Sequence, residues 1–377
     1  EEDAWLKYCM KKFTAFMLMG CMARAWKALT SLPMAIFSTL NIQNIRNLFP
    51  KKYQRTNADP ILEEPDNSVQ NINVTASVVF KSISKLSNGA APGPDGLRPK
   101  QIKQLLGTVP KEFFTTGTLP NADCDNFLQI LIFLIGCVLN AKFPSVIIDL
   151  LSSTMLLPFT KPNGTIRPIG LSILLFKICM SVLLIIYNDD IARIMLDCHQ
   201  YGVSIPGGMD RIILFMQAAM NEYPEWDFVF IDSSNAFNSV SRIYGLNSMK
   251  KYFPGVYRFF YSVYSRTQVT WFNYESNVEK QDIEEGCVQG QNTSPFFFAA
   301  AIIDFLKGLH AVLPNGHVRA FADDISFCGP TTEVIAGIWY VIMEGPKYGI
   351  HLNWQKTFIL IGECYAWRQK QTESKGI

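Results

Sequence analysis

The feature that most constrains this chain is the stretch Ala320-Phe321-Ala322-Asp323-Asp324-Ile325-Ser326-Phe327-Cys328-Gly329. Two adjacent carboxylates interrupt an apolar run rich in β-formers, which reads as strand, tight turn, strand. Adjacent acids repel each other and resist burial, so a fold that presents them near its core needs a compensating charge. A divalent cation with hard oxygen ligands, magnesium or manganese, supplies that compensation. An Asp-Asp pair in a solvated turn is the plainer alternative, so the meaning of the pair depends on the rest of the chain.

A third acid lies upstream. The segment from Asp227 to Ile231 (Asp-Phe-Val-Phe-Ile) reads as a buried strand that delivers Asp232 at its end and runs on through Ser233-Ser234-Asn235-Ala236-Phe237 into a helix. One acid at a strand end and two on a neighbouring hairpin form the arrangement that two-metal phosphoryl transfer requires. Between them, Glu285-Gly286-Cys287-Val288-Gln289-Gly290-Gln291-Asn292-Thr293-Ser294-Pro295 precedes an apolar helix over Phe296 to Leu306. Gln289-Gly290 offers flexible backbone and polar groups to a base pair. An ordinary helix start, with Ser294 as cap and Pro295 in the first turn, fits the same residues.

Further upstream, residues 156–169 read as a β-hairpin turning at Asn163-Gly164. Its strands carry Lys161 and Arg167, which suit a polyphosphate or, more plainly, a solvated surface. Asn88 to Leu97 contains too many glycines and prolines for a regular element, and suits a surface turn or a close approach to a ligand. Helices are expected over residues 4–30, 42–48, 75–86, 100–107, 125–151, 171–194 and 209–220, with a polar linker over 51–70.

Composition limits the rest. The 377 residues are 49% hydrophobic and 18% charged, which is globular rather than disordered. The net charge of +2 neither demands nor excludes nucleic acid, although basic residues outnumber acidic ones over residues 1–60. Nine scattered cysteines lack Cys-x-x-Cys or paired Cys/His spacing, which argues against zinc and a disulfide framework and for a reducing, intracellular compartment. The apolar runs Phe127 to Leu139 and Ile173 to Tyr187 fall short of the ~20 residues that span a bilayer. They read as core helices, and no membrane partner is expected.

Taken together, these motifs resemble the reverse transcriptases of the non-LTR (LINE-type) retrotransposon class, in order, over roughly residues 22 to 362. Ala23-Arg24-Ala25-Trp26-Lys27-Ala28-Leu29 resembles the N-terminal extension of that class, and Ala91-Pro92-Gly93-Pro94-Asp95-Gly96 its fingers motif. Asp232 with Ala236-Phe237, Gln289-Gly290 with Ser294-Pro295, Phe321-Ala322-Asp323-Asp324, and Tyr348 to Thr357 match the motifs that follow. Gln291-Asn292-Thr293 departs from the usual Asp-Pro-Leu in the Gln-Gly loop.

The resemblance implies an α/β (α+β) right-hand polymerase. Its palm is an antiparallel sheet backed by helices, its fingers are helix-rich, and no thumb is evident after Gly362. The implied divisions are 1–70 extension and linker, 71–200 fingers, 201–362 palm and 363–377 tail. The implied activity is RNA-directed DNA synthesis, in which a primer 3′-hydroxyl attacks an incoming dNTP on an RNA template. Asp232, Asp323 and Asp324 hold two Mg²⁺ or Mn²⁺ ions. Lys161 and Arg167 grip the triphosphate, Phe237 excludes a ribose 2′-hydroxyl or packs in the core, and Gln289 and Gly290 hold nucleotide and template. Lys356 serves as a general acid near the pyrophosphate or as a solvated lysine. The rival expectation is an inactive relative that binds RNA or serves as an assembly subunit. A nuclear location follows for a mobile-element protein, with an organelle as the alternative.

Overall fold

The computed structural model describes residues 42–66, 69–107, 113–116, 119, 121–160, 166–274 and 277–362. The extension motif near Trp26, Lys161, the Asn163-Gly164 turn and the tail after Gly362 lie outside the described residues. The first half is mostly helical: α1 (Ile42–Arg46), α2 (Ala76–Lys85), α3 (Pro99–Leu106), α4 (Phe113–Thr116), α5 (Ala122–Leu139) and α6 (Ser145–Ser152). A hairpin of β1 (Thr154–Thr160) and β2 (Ile166–Ser172) follows, then α7 (Leu174–Ile186), α8 (Asn188–Asp197) and α9 (Gly208–Glu222). The second half runs β3 (Asp227–Ile231), α10 (Ala236–Ser239), α11 (Arg242–Tyr252), α12 (Pro254–Tyr264), β4 (Gln268–Tyr274), β5 (Asn277–Ile283), α13 (Ser294–Ala301) and α14 (Ile303–Ala311). It closes with β6 (His317–Phe321), β7 (Asp324–Gly329), α15 (Thr331–Glu344), a 3₁₀ turn (Gly345–Tyr348) and β8 (Phe358–Leu360).

The strands form two four-stranded sheets, ordered β2-β1-β4-β5 and β6-β7-β3-β8. The second is antiparallel throughout, with β3 between β7 and β8. The first joins two antiparallel hairpins through one short parallel contact, Thr154 with Thr270 and Met155 with Trp271. This is the mixed fold expected, with helix-backed antiparallel strands under the acidic motifs.

One helix organises the core. Phe296, Phe297, Phe298 and Ala299 to Ala301 on α13 are all fully buried, so this run has no solvent face and must be enclosed on every side. Tyr264 of α12 stacks on Phe297 at 4.0 Å, and Phe237 stacks on Phe298 at 4.9 Å. Gly245 lets α11 close on the same helix, since a Cβ there would stand 2.5 Å from the Phe297 ring.

Several boundaries differ from the sequence expectation. The helix expected over 125–151 is two helices. Asn140 ends the first by donating to Gly136 O at 2.9 Å, while its carboxamide pairs with both backbone groups of Ile72, and Pro144 precedes the second. Residues 171 and 172 extend β2 rather than opening α7, and the helix expected to reach 194 is broken at Tyr187. Helix α5 is also less enclosed than a core helix. Its apolar 18 residues are 28% buried and long enough by length and composition to cross a membrane, with Ile130 and Phe133 exposed. The stretch Ser294–Ala311 passes the same test but is 67% buried, as core helices are.

Candidate active site

Strand register brings the acids to one end of the second sheet. Ile231 pairs with Ile325, so Asp232, the next residue out of β3, faces the end of the β6–β7 hairpin, where Phe321 pairs with Asp324. Ala322 and Asp323 form the turn, and Ala322 takes a positive φ of 53°. Asn353 holds Asp232 from the other side: its side chain donates to Oδ2 at 2.9 Å and its backbone N–H donates to the Asp232 carbonyl at 2.9 Å.

Asp232 and Asp323 line a cleft of about 380 Å³ together with Arg167, Gln289, Asn353 and Lys356. Asp324 is exposed at the hairpin end, beside that cleft. Partial desolvation, then repulsion from Asp323 and Asp232, raises its carboxyl above the usual carboxylate range. Among the described residues, no three His, Cys, Asp or Glu side chains approach closely enough to form a ready-made metal cluster. The donor chemistry still fits magnesium or manganese. Asp232 and Asp323 both repel Asp324, and a cation held by these hard carboxylates would relieve that repulsion.

The first sheet supplies the cleft's other wall. Arg167 on β2 is exposed, and its Nε donates to Gln289 Oε1 at 3.1 Å. Gly170 N–H donates to the Gln289 carbonyl at 2.7 Å, which docks the Gln-Gly loop against β2. Gly290 follows at φ 102°, where a Cβ would lie 2.6 Å from Gly170 O, so this position needs glycine for both space and backbone conformation. Gly93 in the proline-rich stretch has a similar reason, because its Cβ would meet Ser172 O at 2.2 Å. The partner it approaches closely is thus the chain's own β2. Asp95 from that stretch caps α7, accepting from Leu174 N–H at 2.9 Å.

The structure therefore gathers Asp232, Asp323, Arg167, Gln289 and Lys356 around one cleft, with exposed Lys356 on the loop before β8. Phe237 is half-buried, with its ring stacked on Phe298. Helix α13 starts differently from expectation. Its N-cap is Thr293 without a side-chain capping bond, and the buried Ser294 hydroxyl finds no partner among the described residues. The substituted Gln291 is buried and donates to Ser152 O at 3.3 Å.

Sequence reasoning missed several residues that hold this site. Arg242 is buried, and its guanidinium donates to Gly286 O, Arg266 O and Gln268 Oε1 at 2.8, 2.7 and 2.9 Å. Burial lowers its pKa, yet those acceptors and nearby Glu285 keep it in place as a cation. Glu285 accepts from the Arg242 and Tyr53 backbone N–H groups, tying the linker before α2 to the base of the Gln-Gly loop. Asn353 and Gln200 are the other two. A lone buried Arg or Gln, or a half-buried Asn, leaves no pattern in a single sequence.

The family model described as Reverse transcriptase (RNA-dependent DNA polymerase) matches residues 159–375. A retrotransposable element SLACS 132 kDa protein from Trypanosoma brucei gambiense is 23% identical over 274 residues, 70% of this chain and 21% of that protein. The chain thus spans about a fifth of that relative's length. Among solved structures, apo telomerase from Candida tropicalis aligns with a TM-score of 0.45 at 14% identity, covering 57% of this chain and 45% of that one. Telomerase from Candida albicans, in complex with a fragment of telomeric RNA, aligns with a TM-score of 0.44 at 12% identity, covering 63% and 48%. The family match takes in the second half of the β1–β2 hairpin, the Gln-Gly loop and both acidic motifs, more than half of the chain, which therefore belongs to the reverse transcriptase (RNA-dependent DNA polymerase) family.

Proposed function

We propose that this chain is the catalytic core of an RNA-directed DNA polymerase, which joins a dNTP to a primer 3′-hydroxyl on an RNA template. The observation that carries the reading is the meeting of Asp232 and Asp323 with Arg167, Gln289 and Lys356 around a single cleft. Two Mg²⁺ or Mn²⁺ ions held by Asp232, Asp323 and Asp324 would lower the pKa of the attacking hydroxyl and neutralise charge on the departing pyrophosphate.

The remaining work falls to side chains. Arg167, together with Lys161, neutralises the triphosphate and orients it by charge-assisted hydrogen bonds. Gln289, oriented by Arg167 Nε and by the bond from Gly170, presents its carboxamide to the nucleotide and template. Phe237, braced by Phe298, limits space at the sugar and favours dNTP over NTP. Lys356 stands at the cleft as a cation that hands a proton to the pyrophosphate. Asn353 keeps the Asp232 carboxylate aimed by occupying one of its oxygens. The division into fingers over 71–200 and palm over 201–362 accompanies this reading.

Primer extension on an RNA template with dNTPs tests it, run with Mg²⁺ or Mn²⁺ and again with excess EDTA. Metal-dependent extension with dNTPs is expected. Extension that persists in EDTA contradicts the reading, as does RNA binding without extension under any metal, which is the behaviour of an inactive RNA-binding relative.

A further inference from the structure

We infer that Gln200 is a positioning residue for the acidic turn, holding the backbone of Ala322 so that Asp323 and Asp324 are presented in a fixed orientation. The functional half of this inference rests on the polymerase reading above; the structural half does not.

The chain reverses after α8 with His199 at φ 56° and runs beside β6 like a short extra strand. Ala320 N–H donates to His199 O at 2.9 Å, Tyr201 N–H donates to Ala320 O at 2.7 Å, and Gln200 forms a parallel bridge with Ala320. This sets the fully buried Gln200 side chain under the turn. Its Oε1 accepts from Ala322 N–H at 2.7 Å and from Gly202 N–H at 3.0 Å, and its Nε2 donates to Ala322 O at 3.1 Å. One carboxamide thus satisfies both backbone polar groups of Ala322, which would otherwise be left partly buried.

Ala322 needs such a hold. A two-residue hairpin turn with positive φ at its first position suits glycine best, and an alanine there is disfavoured by its Cβ. Gly202 closes the clamp from the same loop, since a Cβ there would stand 2.4 Å from Ala322 N. The backbone of Ala322 is therefore bonded by Gln200 and packed against Gly202, while the next residue along is Asp323. A shift of this turn moves the carboxylates against the substrate, and a misplacement of about 1 Å costs on the order of 100-fold in rate.

The test compares the parent chain with Gln200→Met, which keeps volume and removes all three hydrogen bonds, and with Gly202→Ala, which keeps the carboxamide but presses on Ala322 N at 2.4 Å and on Gln200 Oε1 at 3.0 Å. The first readout is amide hydrogen exchange. In Gln200→Met, Ala322 and Gly202 are expected to exchange at least about 10-fold faster while Ile325 and Phe327 keep their protection. Unchanged exchange at Ala322 overturns the clamp, and so does equal loss of protection across β6 and β7. The second readout is single-nucleotide addition on an RNA template. For each variant, kcat is expected to fall about 100-fold while KM for dNTP stays within about 3-fold. Parent-like kcat in both variants overturns the functional half. Should the parent itself fail to extend a primer, the polymerase reading falls and exchange alone decides whether Gln200 holds the turn.

Discussion

Replacing Arg242 by Met is the perturbation whose cost follows most directly from the coordinates. The guanidinium is buried and makes three side-chain hydrogen bonds, to Gly286 O, Arg266 O and Gln268 Oε1, and lies over the Tyr264 ring at 5.3 Å. Met fills much of the same space but donates nothing, so three acceptors lose their partner. Each buried acceptor left unpaired costs about 1–3 kcal/mol, or roughly 3–9 kcal/mol together. Against this stands the desolvation of a buried cation, which the variant no longer bears and which returns several kcal/mol. The backbone bond from residue 242 to Glu285 survives, but Glu285 loses a neighbouring positive charge. With the middle of that range, about 6 kcal/mol, set against a return of about 3 kcal/mol, the net loss is about 3 kcal/mol. At roughly 2 °C per kcal/mol for a large domain, Tm should fall by about 6 °C. Thermal unfolding followed by circular dichroism measures this directly. A Tm within about 1 °C of the parent would refute the reasoning, because it would mean that the buried pairs are worth no more than the desolvation they require.

Three further outcomes are expected. Gly290→Ala must move the loop away from Gly170 O and weaken the Gly170–Gln289 bond, so KM for dNTP should rise about 10-fold while strain of about 1–3 kcal/mol lowers Tm by roughly 2–6 °C; an unchanged KM would disconnect this loop from nucleotide binding. Phe237→Val should admit ribonucleotides in single-nucleotide addition, whereas unchanged sugar discrimination would leave Phe237 as a packing partner of Phe298 alone. Asp324 has a raised carboxyl pKa, so its ionised form opposes folding once pH exceeds the unfolded-state value of about 3.9. Asp324→Asn should therefore raise Tm at pH 7 in EDTA, with the gain shrinking as pH falls toward 4, and a lower Tm at pH 7 would contradict the repulsion.

The sequence and the structure agree best where local chemistry determines the outcome. The hairpin carrying Asp323 and Asp324 was legible because β-formers flank a polar turn, and β3 because five residues of strand lead straight to Asp232. The β1–β2 pairing was legible from Asn163-Gly164 although that turn lies outside the described residues, and strand pairing on either side of it agrees. The β4–β5 hairpin was not read. Its second strand, Asn277–Ile283, carries Glu279, Lys280 and Asp282 at an exposed sheet edge, where no apolar alternation is required. Gln200, Arg242 and Asn353 escaped for a different reason. Each acts through backbone groups distant in the chain, such as Ala322 for Gln200, and only the folded register reveals that such a partner exists. Position 291 shows the same limit. The substituted Gln291 stood out in the sequence as a departure, but only the fold reveals its burial and its bond to Ser152 O.

The proposed polymerase centre requires the acids of the β6–β7 turn to act with Asp232. Extension of a primer on an RNA template with Mg²⁺ and dNTPs, by the parent and by Asp323→Asn side by side, tests this most directly. The substitution keeps side-chain volume and removes one carboxylate, so the account predicts extension by the parent, a loss of at least about 1,000-fold in the variant, and closely similar melting temperatures. Extension by Asp323→Asn at the parent's rate would contradict it.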